Sequence, residues 1–177
     1  MKDNRKMFVP TGSFDVEYEN MPGGKHITKD NAKRFWETNR VPPKLHNRKG
    51  IYIFGMKVTN GVIPCYVGKT NRTFGGECFT ERNINIYNGE IIRYERNYQP
   101  FLFFLVYRKQ RGQKISNKVI LELEKYMINW ALEKNPDLAN TRGIEDEDRF
   151  IIAGLGGGRR GGAPTREVRF FKKMMNV

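Results

Sequence analysis

The chain has 177 residues, which is enough for one well-buried hydrophobic core and too few for two full domains. Apolar residues make up 38% of it and aromatic residues 12%, a composition that favours a folded globular protein over a disordered one. No apolar run approaches the roughly 18–20 residues that span a bilayer, and the first residues, MKDNRKMFVPTG, lack the apolar centre of a signal peptide. We therefore expect a soluble, cytoplasmic protein that does not enter a membrane.

The charge is strongly positive and is not confined to one tail. There are 32 Lys and Arg residues against 19 acidic ones, giving a net charge of +13 and a pI near 9.9. The excess is spread over the N-terminal, central and C-terminal parts of the chain. A distributed excess indicates that several surfaces face a polyanion, while a basic surface kept for solubility is the alternative interpretation.

Residues 1–47 show little apolar periodicity and contain the turn signals PGGK and VPPK, so we expect a lead-in packed on the main domain. Within it, ITKDNAKRFWETNR predicts a short helix capped by Thr28 or Asp30. From Gly50 the pattern is that of a β-hairpin. GIYIFGMKV is the first strand, Asn60-Gly61 the turn, and VIPCYVGKT the return strand.

The second half of the chain predicts one more strand and a long helix. The apolar run FLFFLVYRK at 101–109 is typical of a central strand. A helix is predicted from Ser116, its cap, to Asn135, just before Pro136. RFIIAGLGGGRRGGAP near the C-terminus predicts a strand that runs into a glycine-rich turn.

The predicted long helix carries a carboxylate in an unexpected place. On a helical wheel Glu124 falls near the middle of an apolar arc, whereas Glu122 falls among Lys118, Lys125 and Asn129 and is interpreted as a solvated surface acid. A carboxylate within an apolar face is costly unless it is paired, protonated or bound to a metal. Glu124 is therefore either a functional residue or a buried ion-pair or hydrogen-bond partner.

Taken in order, these residues resemble a known family. GIY at 50–52, YVG at 66–68, an Arg on the following helix, Glu124 in EKYMI and the terminal Asn140 together resemble the GIY-YIG nucleases. The resemblance covers residues 48–142. It implies an α/β (α+β) fold with a three-stranded antiparallel sheet flanked by helices, and an enzyme that hydrolyses phosphodiester bonds with one divalent cation.

The resemblance also implies roles for particular side chains. Tyr52 would help to activate the attacking water and Tyr66 would position the phosphate. Because a phenol with a pKa near 10 is a poor base at neutral pH, a nearby cation is needed, and Lys69 beside the YVG glycine is the candidate. Glu124 would bind Mg²⁺ or Mn²⁺, and Asn140 takes the place of the family's terminal Asn.

An Arg is expected to stabilise the pentacovalent phosphate, because its planar fork pairs two oxygens at once. Arg82, at the start of a predicted helix, is the preferred candidate, and Arg72, in a predicted loop, is the rival. In relatives a His often follows the catalytic Arg by one helical turn, but Ile86 stands there in this chain. The auxiliary role of that His therefore has no predicted counterpart.

The parts outside residues 48–142 are expected to supply most of the DNA binding. Residues 1–47 are interpreted as a DNA-contacting extension, and residues 143–177 as a basic, glycine-rich extension packed on the domain. Arg159 and Arg160, together with Arg72, are the predicted contacts to the DNA backbone. This layout resembles a compact restriction-type or mobile-element endonuclease, which would act as a homodimer on a palindromic target.

Other functions are weaker candidates. GLGGGRRGG lacks the Lys-Ser/Thr of a phosphate-binding loop, and His26 and His46 are isolated in turn-rich sequence. Cys65 and Cys78 have no His pair near them and are predicted to be buried free thiols. The main rival is a catalytically inactive nuclease-like protein that only binds nucleic acid. A ribosomal or RNA-packaging protein would explain the charge but not Glu124.

Overall fold

The computed structural model describes residues 6–38, 40–94, 98–108, 115–140, 150–155 and 163–177. Its seven described strands are β1 (Lys6–Asp15), β2 (Glu19–Met21), β3 (Gly24–His26), β4 (Gly50–Val58), β5 (Gly61–Thr70), β6 (Tyr98–Tyr107) and β7 (Phe150–Ile152). Its five described helices are α1 (Lys29–Glu37), α2 (Phe74–Glu77), α3 (Glu81–Arg93), α4 (Asn117–Lys134) and α5 (Arg166–Met175).

The centre of the molecule is a five-stranded sheet in the order β5-β4-β6-β1-β7, so the protein has a mixed α/β fold. Strands β5, β4, β6 and β1 are antiparallel to their neighbours, and β7 runs parallel to β1. The three predicted strands are present as β4, β5 and β6. The C-terminal strand predicted in RFII is present as β7, but the prediction of a three-stranded sheet was wrong, because β1 and β7 extend the sheet beyond β6.

Strand β1 was missed because its sequence carries little strand signal. In KMFVPTGSFD only Phe8 and Pro10 are buried, so the alternation that marks a half-buried strand is absent. Pro10 and Gly12 are also residues that normally argue against a strand interior. Pairing with β6 from Phe8 to Asp15 supplies the order that the local sequence does not.

Helices cover both faces of the sheet. Side chains on one face of β4, such as Ile51 and Ile53, form a core with α4 and α5. Side chains on the other face, such as Tyr52 and Phe54, form a second core with α1, α2 and α3. Because β4 and β6 are buried on both faces, their sequences are continuous apolar runs, as the sequence of β6 predicts.

Helix boundaries follow local capping chemistry. Thr28, one of the two predicted caps, accepts a hydrogen bond from the backbone N–H of Asn31. Ser116 does the same for Val119 at the start of α4, which ends at Lys134 as predicted. Cys65 and Cys78 are free and buried, also as predicted. Among the described residues, no helix is long and apolar enough to cross a membrane.

The glycine of GIY, Gly50, is required at its position for a steric reason. Gly50 adopts φ +147°, and a Cβ built there would overlap the backbone carbonyl of Leu105 on β6. Any side chain at this position would therefore separate β4 from β6 at the point where the two strands begin to pair.

We expect Gly50→Ala to lower the free energy of unfolding by about 3 kcal/mol, from backbone strain and overlap combined. Gly89→Ala is the matched control, since a Cβ on this exposed glycine of α3 meets nothing within 4 Å. That control should be stabilised by about 0.5–1 kcal/mol, because Ala is the better helix former. Chemical denaturation measures both, and equal stabilities of the two variants would contradict the steric account.

Candidate active site

Two tyrosines lie side by side on one face of the β4–β5 hairpin. The ring centroids of Tyr52 and Tyr66 are 6.2 Å apart. Tyr52 is paired with Gly68 across the hairpin. A Cβ atom added to Gly68 would overlap the Tyr52 ring, at 2.6 Å from Cε2 and closer still to Cζ, the carbon that carries the hydroxyl. The glycine of YVG is thus the gap into which the Tyr52 ring fits, which links the two motifs physically.

Tyr52 is almost fully enclosed, with 1% of its surface exposed. Its hydroxyl oxygen accepts a buried hydrogen bond of 2.8 Å from Nδ2 of Asn83 on α3. Burial raises its pKa far above the usual range, and the charges of Cys78, Tyr66 and Glu77 raise it further, whereas the Asn83 hydrogen bond lowers it. No cation offsets this shift among the groups that act on Tyr52. The phenol of Tyr52 is therefore a very weak acid here.

Tyr66 has a different electrostatic environment. Burial raises its pKa, but the nearby Arg82 guanidinium lowers it, and so does hydrogen bonding from the Tyr52 hydroxyl. The charges of Glu124 and Glu77 raise it. Arg82 is exposed and is the second residue of α3, as the sequence predicts. Of the two phenols, Tyr66 is the one that faces a cation.

Glu124 is largely buried, as the helical wheel predicts, and its partner is Lys69. Its side chain is 16% exposed, and Oε2 lies 3.4 Å from Nζ of Lys69. The backbone and side chain of Lys69 both lower the pKa of Glu124. The pKa of Glu124 is nevertheless raised overall, with burial as the largest cause and the charge of Glu77 adding to it. Lys69 was expected to lie beside Tyr52 and lower the pKa of its phenol. Its ammonium instead lies beside the carboxylate of Glu124.

The prediction that Glu122 is a solvated surface acid was wrong. Its side chain is 17% exposed, nearly the same as that of Glu124, and it pairs with Lys118 at 3.8 Å. Packing around α4 covers a wider arc of the helix than the apolar stripe alone indicates. Glu133, which is exposed near the end of α4, is the solvated acid of this helix.

The two faces of the hairpin meet at the open edge of β5. Glu124, on the side of α4, is close enough for its charge to raise the pKa of Tyr66 on the opposite face. Glu77, on α2, raises the pKa values of Tyr52, Tyr66 and Glu124 alike. Side chains from β4, β5, α2, α3 and α4 therefore form one cluster around this edge. Sequence reasoning missed Glu77 and Asn83, because each is an ordinary polar residue in its local sequence.

Asn140 holds the edge strand in place. Its Oδ1 accepts the backbone N–H of Val67 at 3.1 Å, and its Nδ2 donates to the Val67 carbonyl at 2.5 Å. Nearby, Asn135 Nδ2 donates to the Pro64 carbonyl and the Ala139 N–H donates to the Cys65 carbonyl. The segment after α4 thus pairs with β5 much as another strand would. These contacts make Asn140 a positioning residue for the strand that carries Tyr66 and Lys69.

The remaining predicted arginines lie elsewhere. Arg72 is exposed in the loop after β5, where its backbone N–H bonds to the Thr70 hydroxyl. Arg159 and Arg160, predicted to contact DNA, lie outside the described residues.

The donor set fits a hard divalent cation held by few protein ligands. Among the described residues, no group of three or more His, Cys, Asp or Glu side chains gathers to form a metal cage. A single partly exposed carboxylate, Glu124, leaves most coordination positions to water and substrate oxygens, which is typical of Mg²⁺. The Lys69 ammonium would have to move aside for such an ion to bind.

Comparison of the chain with models of protein families, with curated proteins and with solved structures finds no match.

We expect Asn140→Ala to lower the free energy of unfolding by about 1–3 kcal/mol, because the N–H and carbonyl of Val67 lose their partners. Hydrogen exchange at the Val67 amide should become faster in this variant. Asn85→Ala, at an exposed position of α3, is the control and should leave both quantities unchanged. An unchanged Val67 exchange rate in Asn140→Ala would show that Asn140 does not hold the strand.

Proposed function

We propose that the protein is a metal-dependent DNA endonuclease of the GIY-YIG type that hydrolyses phosphodiester bonds. The observation that supports this proposal is that Arg82 and Glu124, which lie far from Tyr66 in sequence, are near enough for their charges to shift the pKa of its phenol. Tyr52 and Lys69 adjoin the same cluster. A cluster that combines a phenol, a guanidinium and a carboxylate supplies the chemical groups that phosphodiester hydrolysis needs.

Each side chain has a chemical role in this proposal. Arg82 pairs with the phosphate oxygens and stabilises the charge that develops on them. Glu124 holds the cation, Mg²⁺ or Mn²⁺, which when bound stabilises negative charge on the phosphate and the leaving oxygen. Tyr66 orients the phosphate or the attacking water beside Arg82. Lys69 keeps the Glu124 carboxylate in place when no cation is bound.

DNA is the proposed partner because the positive charge is large and widely distributed. Arg82 is exposed beside Tyr66, Arg72 is exposed in the loop after β5, and Arg159 and Arg160 add two cations in the glycine-rich segment of the sequence. Homodimerisation, an intracellular location with the DNA, and a restriction-type or mobile-element role belong to the same proposal. In it, residues 48–142 form the catalytic domain, and the segments on either side bind DNA.

A catalytically inactive nucleic-acid-binding protein is the second candidate. The observation in its favour is the Lys69–Glu124 contact, which gives Glu124 a partner without any metal. The two candidates differ in whether the carboxylate charge is needed for bond cleavage.

The deciding experiment incubates supercoiled and linear plasmid with the purified protein, in Mg²⁺ or Mn²⁺ and in chelator, and resolves the products by size. The nuclease proposal expects nicked or cut DNA with the divalent ion and none with chelator. Absence of cleavage of DNA or RNA under every divalent ion tested would favour the binding protein.

We expect Glu124→Gln to lower the cleavage rate by orders of magnitude while DNA binding persists, because the charge that holds the cation is lost. Because burial already disfavours the charged carboxylate, Gln should not lower the melting temperature appreciably. Glu133→Gln, on the same helix but exposed, is the matched control and should cut at the wild-type rate. A Glu124→Gln protein that melts normally and cuts at the wild-type rate would contradict the proposal.

We also expect DNA affinity to fall steeply with salt, because released counterions dominate binding to a polyanion. Arg72→Ala should weaken binding to all DNA sequences alike and reduce the salt slope by about 1. Titration at several salt concentrations measures the slope for both proteins. An unchanged slope would place Arg72 outside the DNA interface.

A further inference from the structure

Asn83 is a buried asparagine at the centre of the candidate site, with 2% of its surface exposed. It lies in the first turn of α3, where its backbone N–H bonds to the capping hydroxyl of Thr80. Its side chain reaches β4 and α2 at once. Nδ2 is 2.8 Å from the Tyr52 hydroxyl oxygen and 2.8 Å from the backbone carbonyl oxygen of Glu77.

The second contact fixes the orientation of the Asn83 amide. A carbonyl oxygen can only accept a hydrogen bond, so the atom that faces Glu77 must be the nitrogen. The same nitrogen faces Tyr52. The Tyr52 hydroxyl is therefore the acceptor in that contact, and its own hydrogen remains to be donated elsewhere.

The position of Tyr52 leaves that hydrogen few acceptors. Gly68 lies against the ring, Asn83 occupies one side of the oxygen, and Tyr66 is the adjacent phenol on the same face. The thiol of Cys78 is also near, but sulfur is a weak acceptor. Consistent with donation to Tyr66, hydrogen bonding from Tyr52 favours the charged form of Tyr66.

We propose that Asn83 is a positioning residue that sets the direction of hydrogen bonding through the two tyrosines, an inference that rests on the proposed function. Asn83 donates to Tyr52, and Tyr52 in turn donates to the oxygen of Tyr66. Tyr66 then receives a hydrogen bond from inside the protein, directs a lone pair toward Arg82 and directs its own hydrogen toward the substrate. Tyr52 acts through Tyr66 and does not itself contact the reacting atoms.

The activity test is a double-mutant cycle. Asn83→Ala should lower kcat about tenfold with little change in KM, the size expected when one hydrogen bond is lost from a transition state. Tyr52→Phe, which keeps the ring that packs on Gly68, should lower kcat by a similar factor. Because Asn83 acts through Tyr52, the double variant should be no slower than either single variant.

Three comparisons complete this test. Tyr66→Phe should be slower than Tyr52→Phe by at least tenfold, since Tyr66 meets the substrate. Asn85→Ala, exposed on the same helix, should cut at the wild-type rate. Losses that multiply in the double variant, or equal losses in the two Phe variants, would overturn the proposal. Thermal melting of every variant identifies any loss that comes from unfolding.

A second readout does not depend on cleavage. In nitrogen-15 spectra the side-chain amide of Asn83 is assigned by its loss in Asn83→Ala. In Tyr52→Phe one of its two amide protons should move upfield, while the other, bonded to the Glu77 carbonyl, should stay in place. If neither moves, Asn83 does not donate to Tyr52 and the proposal fails. If the wild-type protein cuts nothing but the shift is seen, the proposed function fails while the hydrogen-bonded arrangement stands.

Discussion

The structure depends on how the free edge of strand β5 finds hydrogen-bond partners. An edge strand presents unpaired N–H and carbonyl groups along its outer side. In this protein the segment after α4 supplies those partners through Asn135, Ala139 and Asn140, and Glu124 lies further along, where its side chain pairs with that of Lys69. The long helix is thereby fixed against the strand, and its one carboxylate within the apolar face is placed at the edge.

The same edge determines where the tyrosines can act. Tyr66 lies on β5, whose outer edge is hydrogen-bonded to the segment after α4. Tyr52 lies on β4, one strand further into the sheet, and is covered by helices α2 and α3. Burial therefore differs between the two phenols, and so do the charges around them. Two residues that look equivalent in the GIY and YVG motifs therefore differ in the structure: Tyr52 is 1% exposed and bonded to Asn83, whereas Tyr66 is 8% exposed and has the charge of Arg82 nearby.

Local chemistry in the sequence predicts the hairpin and the two capped helices, because the signals are short-range. The hairpin turn, which lies at Thr59-Asn60 just before Gly61, and the Thr28 and Ser116 caps each act within three or four residues. Strand β1 could not be predicted in this way, since its order comes from pairing with β6, which begins more than 80 residues later.

The candidate site could be predicted only in part from the sequence, because some of its residues are brought together by the fold and carry no local signal. Glu124 is visible because a carboxylate in an apolar arc breaks a pattern. Asn83 breaks none, since an asparagine in the first turn of a helix is common, and only the fold brings its amide against Tyr52 and the Glu77 carbonyl. The helical wheel gave the wrong prediction for Glu122. Helix periodicity shows which face of a helix is apolar, but it does not show how far neighbouring elements extend over the polar face.

The Lys69–Glu124 contact bears on whether this carboxylate is structural or binds a cation. At 3.4 Å the contact is longer than the roughly 2.7–2.9 Å of a strong charge-assisted hydrogen bond. Lys69 is also 30% exposed and carries its charge on a flexible four-carbon stem, so it can move away at little cost. The pKa of Glu124 stays raised in the presence of Lys69, with burial as the largest cause, so one ammonium leaves the charged carboxylate incompletely stabilised. Under the proposed function, a divalent ion with twice the charge would stabilise the carboxylate further, and the long contact to Lys69 is one that such an ion would displace.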